Sequence, residues 1–318
     1  MEIKPDNFGR IGVLIGGPSS EREISLISGR AVYESLRSLN LDVISIDVQT
    51  GDWQQNQSLI RDAGIDVAFI ALHGCFGEDG QVQSLLEELN IPYTGSGPDA
   101  SRLAMDKVAS RKIFQREGLP VPNYIVLSGS EDIDLDKRIA RDLTGPFVVK
   151  PAAQGSSIGL SIVDTRKDLK QAARLAFTYG EQIIVEEYIK GREITVGILG
   201  NSALPVVEII AKNKFYDYTA KYSAGMSEYV VPADLPSDVA CRAGGSGLAA
   251  HRLLGCFAFS RVDMRLGLDN TPFILEVNSI PGLTSSSLLP KAAQAKGIDF
   301  TQMCIDILRL AFQRIGVD

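Results

Sequence analysis

What this chain lacks narrows its function before any motif is read. Its four cysteines, Cys75, Cys241, Cys256 and Cys304, form no CxxC pair, which argues against a zinc ribbon or a disulfide framework and suits a reducing cytoplasm. No apolar run approaches the roughly 18–20 residues of a membrane span. The opening MEIKPDNFGR has no charged-then-apolar export pattern, so the expectation is a soluble, unprocessed chain with no membrane partner. Basic residues are outnumbered, 32 against 39 acidic, for a net charge of −7. That deficit argues against nucleic acid as a partner, and any anionic ligand must be held by local features. The familiar phosphate loops GxxxxGK[ST] and GxGxxG are also missing.

What remains is an ordinary globular composition, 45% hydrophobic and 22% charged over 318 residues, enough for two or three compact units. The first third alternates apolar strands with helical patterns. RIGVLIGG reads as a buried strand ending in a glycine turn, followed by a helix over SSEREISLISGRAVYESL in which Ser20 and Glu23 have capping-box spacing. LDVISIDV and IDVAFIALHG read as further strands, and DGQVQSLLEEL as a helix. This order predicts an open parallel sheet, whose ligands bind beyond the carboxyl ends of its strands. Glu21 and His73 both fall at such ends. Next, GPDASRLAMDKVASRKIFQREG reads as one long helical segment closed by Gly118 and Pro120. GPFVVKPAAQGSSIGLSIV then reads as strand, small-residue loop and strand.

The strongest chemistry lies in CFAFSRVDMRLGLDNTPFILEVNSIPG. Two alternating stretches flank the turn-rich LGLDN, which predicts an antiparallel hairpin. Period two puts Arg261 with Asp263 on one face and Glu276 with Asn278 on one face. A turn centred near Asp269 and Asn270 sets Asp263 opposite Glu276 and Arg261 opposite Asn278. Facing carboxylates repel unless a cation compensates them, and a hard divalent ion with few protein ligands suits such a patch. A solvated sheet face would also alternate charges. The loop AAQGSSIG can bring backbone N–H groups close to a phosphate, with Ser156 and Ser157 as hydroxyl donors. A flexible hairpin tip is its other reading. Lys150, on the preceding strand, is placed to meet a phosphate. Lys107, with Arg111 one turn on, could as well be a solvated helix lysine.

In chain order, GGPSSEREISLISG, LHGCFGEDGQVQ, IPYTGSG, AMDK, VVKPAAQGSSIG, VEEYIKGREITVG, FYDYTAKY, RVDM and LEVNSIPGLTSSSLLPKAA resemble the D-alanine–D-alanine ligases of the ATP-grasp superfamily, over nearly the whole chain. The resemblance implies an α/β, three-domain ATP-grasp fold. Its parts would be an N-terminal parallel-sheet, substrate-binding domain over 1–105, a central subdomain over 106–190, and a C-terminal subdomain over 191–318 with lid loop and metal site. ATP would lie between the second and third. The implied reaction is ATP-dependent joining of two D-alanines for peptidoglycan precursor synthesis, in a cytoplasmic homodimer.

The implied roles are specific. Lys107 and Lys150 match the residues on the ATP phosphates, Glu186 with the Tyr188 and Ile189 backbone those on adenine, and Glu193 the one on ribose. Asp263, Glu276 and Asn278 match the ligands of two Mg²⁺, or Mn²⁺, ions. Glu21 resembles the group that binds the first D-alanine's ammonium, with His73 near its carboxylate. Ser156, Tyr222 and Glu21 resemble a hydrogen-bonded set tying substrate to lid. Ser287 and Leu288 resemble the pocket for the second carboxylate, and Arg261 with the Gly282 amide the oxyanion donors. Gln154, where many relatives carry glutamate, and the CF of HGCFGEDG are departures that bear on substrate affinity. Three alternatives remain: another carboxylate–amine ligase of the superfamily, a D-alanine–D-lactate ligase, and a nucleotide-binding regulatory protein without turnover.

The aromatic-rich KFYDYTAKYSAG has no clean period and reads as a loop. An acyl phosphate needs shielding from water, which makes this segment the expected lid: Phe215, Tyr216 and Tyr218 cover, Lys221 faces the phosphates, and Tyr222 reaches the site.

Overall fold

The computed structural model describes residues 7–129, 143–155, 157–211 and 227–313. Ser156, Lys221 and Tyr222, and the whole expected lid 214–225, lie outside the described residues.

Strands β1 (Ile11–Gly16), β2 (Val43–Val48) and β3 (Val67–Ile70) form a parallel sheet in the order β2-β1-β3, as the alternation of strands with helices predicts. Helix α1 (Arg22–Arg37) lies close on β1. A Cβ on Gly29 would sit 2.0 Å from the Ile15 Cγ2, so only glycine allows that approach. The expected capping box at the start of α1 does not form: the N-cap is Glu21, without a side-chain cap bond. Instead the Ser19 hydroxyl donates to the His73 carbonyl (2.6 Å) and accepts from the Glu21 N–H (3.1 Å). The helix start is thereby tied to the end of β3, and Glu21 is held in the strand-end crevice. Helices α2 (Trp53–Asp62) and α3 (Gln81–Glu88) complete this region.

The long helical segment expected over 97–118 is two helices, α4 (Pro98–Met105) and α5 (Lys107–Arg116). Asp106 breaks it: its backbone is extended (φ −81, ψ 97), and its carboxylate accepts the N–H groups of Val108 and Ala109 at 2.9 and 3.0 Å. Aspartate is a strong N-cap because it satisfies helix-start donors that otherwise have no partner. The break places Lys107 at the first position of α5, with its N–H bonded to the Ala152 carbonyl at 3.1 Å. The lysine is thus aimed at the glycine-serine loop.

Strands β4 (Tyr124–Ser128), β5 (Phe147–Pro151), β6 (Ser161–Val163) and β7 (Gln182–Glu187) form an antiparallel sheet in the order β4-β7-β5-β6, covered by α6 (Arg166–Phe177). The β5–β6 hairpin carries Gln154, Gly155 and Ser157 in its connecting loop, as its sequence predicts. The third sheet comprises β8 (Gly191–Leu199), β9 (Ser202–Ala203), β10 (Val207–Ala211), β11 (Ser227–Val230), β12 (Phe259–Gly267) and β13 (Pro272–Asn278), ordered β11-β10-β8-β12-β13 with β9 on β8. Helix α7 (Ser237–Leu253) covers one face through Val239, Ala243 and Ala250 against Val196, Val262 and Met264. Helices α8 (Leu288–Ala295) and α9 (Phe300–Gln313) follow. They return to the N-terminal region, where Ile305 and Leu308 share one core with Val13, Val32, Leu204 and Leu289. None of the described helices is long and apolar enough to cross a membrane.

His251, the other histidine, is a structural group. Its Nδ1 pairs with the Ser260 hydroxyl at 2.7 Å, and burial lowers its pKa to about 4. The unfolded chain therefore takes up a proton near pH 6.5 that the folded chain refuses until about pH 4. The group's contribution is fully present above pH 6.5 and is lost as pH falls through that window, by up to about 3 kcal/mol. Acid unfolding followed by circular dichroism should show this slope for the parent protein and a shallower one for His251→Gln. Identical slopes would contradict it.

Candidate active site

Strand alternation and register assemble the site. In the β12–β13 hairpin Arg261 pairs with Asn278 and Asp263 with Glu276, the register expected from the turn position. Beyond Asp263 the register shifts by a bulge that leaves Leu275 unmatched. The Leu275 carbonyl accepts from Arg111 Nη2 at 3.3 Å, so the bulge joins the hairpin to α5.

The two facing carboxylates are each held by a cation. Arg261 grips Asp263 with Nε (2.8 Å) and Nη2 (2.7 Å), and Asn278 Nδ2 and the Thr195 hydroxyl reach Asp263 oxygens at 3.0 and 2.6 Å. Glu276 Oε2 lies 3.1 Å from Lys107 Nζ, which also donates to the Gln154 carbonyl at 2.7 Å. This arrangement fits the hard divalent ions that the sequence implies: two carboxylates and an amide supply oxygen donors, and the carboxylates already demand positive charge. Among the described residues no group of three or more His, Cys, Asp or Glu could hold a metal ion.

Two clefts meet at this hairpin. The first, of roughly 400 Å³, runs between the second and third sheets, lined by Lys107, Lys150, Ser157, Glu186 to Ile189, Glu193, Asp263, Arg265 and Glu276. The second, of roughly 480 Å³, opens beyond the parallel sheet, lined by Glu21, His73, Glu78, Arg261, Asn278, Gly282, Ser287 and Leu288. Lys107 and Glu276 line both. Their ion pair is the wall between the clefts.

Within the first cleft Lys150 Nζ contacts Glu186 Oε1 at 2.9 Å, and the fully buried Arg111 ion-pairs with the other oxygen. Burial lowers the Lys150 pKa to about 8, against the opposing pull of Glu186. Burial alone would raise the Glu186 pKa, but the Arg111 and Lys150 cations outweigh it and hold that carboxyl below its usual range. Ser157 has a left-handed backbone (φ 58) at the loop tip, which turns the chain toward the cleft.

In the second cleft both ring nitrogens of His73 are engaged, Nδ1 with the Ile280 carbonyl and Nε2 with the Ser28 hydroxyl, each at 3.1 Å. The Ser28 oxygen also accepts the Leu283 N–H at 3.2 Å. Burial lowers the His73 pKa, so the neutral ring pins the 280–283 turn, and direct contact with a substrate carboxylate would require exchanging one of these bonds. Ser287 caps this turn: its hydroxyl accepts the Thr284 N–H at 3.2 Å, and it is the N-cap of α8. Gly155 approaches Glu21 so closely that a Cβ there would lie 3.1 Å from Oε2, bringing the loop of the first cleft to the acid of the second.

Four residues here were not singled out from the sequence. Glu78 accepts the Gly74 N–H at 2.6 Å, and burial, then the Glu21 charge, raises its pKa to about 8. It therefore holds its proton at neutral pH. Thr195 reaches Asp263 from β8 and no local spacing marks it, and Arg111 was noted only as a neighbour of Lys107, since nothing local pairs it with Glu186. Arg265 did carry a signal, as the next term of the Arg261, Asp263 alternation.

The chain is similar to known proteins over nearly its whole length. A family model described as D-ala D-ala ligase C-terminus matches residues 113–309, and one described as D-ala D-ala ligase N-terminus matches residues 10–63 and 54–96. The chain is 44% identical over 316 residues to a D-alanine–D-alanine ligase of Pelotomaculum thermopropionicum, covering 97% of this chain and 98% of that protein. It is 47% identical over 309 residues to one of Desulforudis audaxviator, covering 96% and 99%. Among solved structures, the Bacillus anthracis D-alanine–D-alanine ligase complexed with ATP superposes with a TM-score of 0.84 at 35% identity, covering 96% of this chain and 98% of that one. The VanG D-Ala:D-Ser ligase of Enterococcus faecalis gives 0.82 at 31%, covering 95% and 99%.

Proposed function

The chain belongs to the D-alanine–D-alanine ligase family, and from that premise we propose how its two clefts divide the work. It is an ATP-dependent ligase that joins two D-alanines, and its fold is ATP-grasp. The first cleft takes ATP: Lys107 and Lys150 hold its phosphates, Glu186 with the Tyr188 and Ile189 backbone its adenine, and Glu193 its ribose. The second takes the amino acids: Glu21 the first ammonium, Ser287 and Leu288 the second carboxylate, with His73 fixing the turn between them.

The observation that carries this reading is the Lys107–Glu276 pair shared by both clefts. A phosphoryl group passing from nucleotide to amino acid must cross that wall. The first carboxylate attacks the γ-phosphate in line, giving D-alanyl phosphate and ADP, while Lys107 and Lys150 offset charge on the phosphoryl oxygens. The second amine then attacks the acyl carbon, passes a proton to the departing phosphate's oxygen and expels phosphate, with Arg261 and the Gly282 N–H donating to the oxyanion. Mg²⁺ or Mn²⁺ held by Asp263, Glu276 and Asn278 would supply further neutralisation of phosphate charge. Arg261 leaves Asp263 for the oxyanion in this account. The lid 214–225, with Ser156, Lys221 and Tyr222, excludes water from the acyl phosphate.

The test is phosphate and dipeptide formation with Mg-ATP and D-alanine, against L-alanine, D-lactate, D-serine or no amino acid. D-alanine should give both products, and no phosphate should appear without it. Nucleotide binding without amino-acid-dependent phosphate release would sink the assignment, and faster phosphate release with D-lactate or D-serine at neutral pH would move the acceptor. We also propose, as the resemblance implies, a cytoplasmic homodimer in the service of peptidoglycan precursor synthesis. Sedimentation of the purified protein would expose a monomer.

A further inference from the structure

Period-two alternation lays Arg261, Asp263 and Arg265 along one face of β12, each about 6.8 Å from the next. Arg261 lines the second cleft and Asp263 the inner end of the nucleotide cleft, and Arg265 is one step further out along the same strand. Register pairs it across the sheet with Glu193 on β8, and its Nη1 lies 3.3 Å from Glu193 Oε2. Its remaining donors go to the turn that joins β7 to β8. Nε donates to the Ile189 carbonyl at 3.1 Å, and Nη2 reaches the Gly191 carbonyl at 2.8 Å and the Tyr188 hydroxyl at 3.0 Å. The guanidinium carbon also stands 5.0 Å from the centre of the Tyr188 ring.

One side chain thus grips both parts of the cleft assigned to the nucleoside. The turn is pressed on β12 as well: Gly191 has φ 145, and a Cβ there would fall 2.0 Å from the Leu266 carbonyl oxygen. Fixing the turn and the Glu193 carboxylate before the nucleotide arrives spares the entropic cost of ordering them on binding. A planar guanidinium with five fixed donors can hold several acceptors at once, which an ammonium cannot do in the same geometry.

We infer that Arg265 is the positioning residue for nucleoside recognition, presetting Glu193 toward the ribose hydroxyls and fixing the Tyr188–Gly191 turn against which the base lies. This rests on reading the first cleft as the ATP site. Arg265 does not act on the phosphates or the amino acids, so its loss should alter nucleotide recognition and spare the chemistry.

The experiment compares ATP with 2′,3′-dideoxy-ATP, which keeps the triphosphate and base but lacks the ribose hydroxyls, in the parent protein, Arg265→Met, Arg265→Lys and Glu193→Gln. A hydrogen bond to a charged group should make the parent prefer ATP by about tenfold or more in KM. In Arg265→Met the ATP KM should rise about fivefold or more, kcat and the D-alanine KM should stay within about twofold, and the preference for ATP should shrink to about threefold or less. Arg265→Lys, which keeps the charge near Glu193 but not the fork, should retain more of that preference than Arg265→Met while still raising the KM for both nucleotides. Glu193→Gln keeps an oxygen acceptor but loses the charge, so it should shrink the preference to about threefold or less. If Glu193→Gln shrinks it and Arg265→Met keeps it, Arg265 is not the positioning group. If kcat falls together with the melting temperature while the preference stays, its role is merely structural. If Glu193→Gln leaves the preference intact, the ribose assignment fails and the inference falls with it.

Discussion

Turnover of the Glu276→Gln protein should fall on the order of 100-fold or more, while its far-UV circular dichroism and melting temperature stay close to the parent's. Even groups that only orient a metal's ligands typically cost 10–100-fold when removed, and Glu276 is proposed to be a ligand itself. The glutamine keeps an oxygen in place but loses the charge that now balances Lys107 at 3.1 Å. Lys107 retains the Gln154 carbonyl as a partner, and the Glu276 side chain is 20% exposed, so stability should suffer little. The loss should appear in the Mg²⁺ concentration needed for half-maximal rate as well as in kcat, and its titration by Mg²⁺ is the direct check. Unchanged turnover would refute the reading of the hairpin as the catalytic centre.

Glu186→Gln is expected to lose stability instead, by about 3–5 kcal/mol, in addition to weaker ATP binding. Its carboxylate is 3% exposed and lies between Lys150 and a guanidinium that is 1% exposed. Breaking a buried ion pair from one side leaves an uncompensated charge, which is what makes such removals costly. Lys150 can escape by releasing its proton, since its pKa is already down at about 8. Arg111 cannot, because a guanidinium stays charged at any workable pH. The expected fall in melting temperature is on the order of 10 °C, measured by calorimetry without ligand. A melting temperature within a degree or two of the parent's would show that solvent or another group compensates Arg111.

The contrast between these two carboxylates illustrates what a sequence can carry. Glu276 was visible because strand alternation and a turn position are local: two apolar-polar stretches and LGLDN suffice to set Asp263 against it. Glu186 was visible only through resemblance, because its partner Arg111 comes from a helix 75 positions earlier and its burial from two sheets closing. Arg265 was legible by the same alternation as Asp263, yet its significance depends on Glu193 and the Tyr188–Gly191 turn, which β8 brings alongside. The break at Asp106 was missed because residues 98–116 keep an unbroken helical composition, and a capping aspartate in mid-pattern looks like an ordinary polar position. Ser20 and Glu23 misled in the opposite way: the spacing of a capping box was there, but Ser19 took a tertiary partner, the His73 carbonyl, and set the helix start itself.

The sequence alone determined the alternation of strands and helices, the hairpin register that opposes Asp263 and Glu276, and the small-residue loop after Lys150, because each depends on steric and hydrogen-bonding preferences acting over a few residues. Only the tertiary structure decided that Lys107 and Glu276 form one wall between two clefts, that His73 spends both ring nitrogens on Ser28 and Ile280, and that the last helix shares a core with the first sheet. Those facts join residues far apart in the chain, His73 and Ile280 by 207 positions. They follow from which apolar faces bury one another when the three sheets close, and no local preference specifies that.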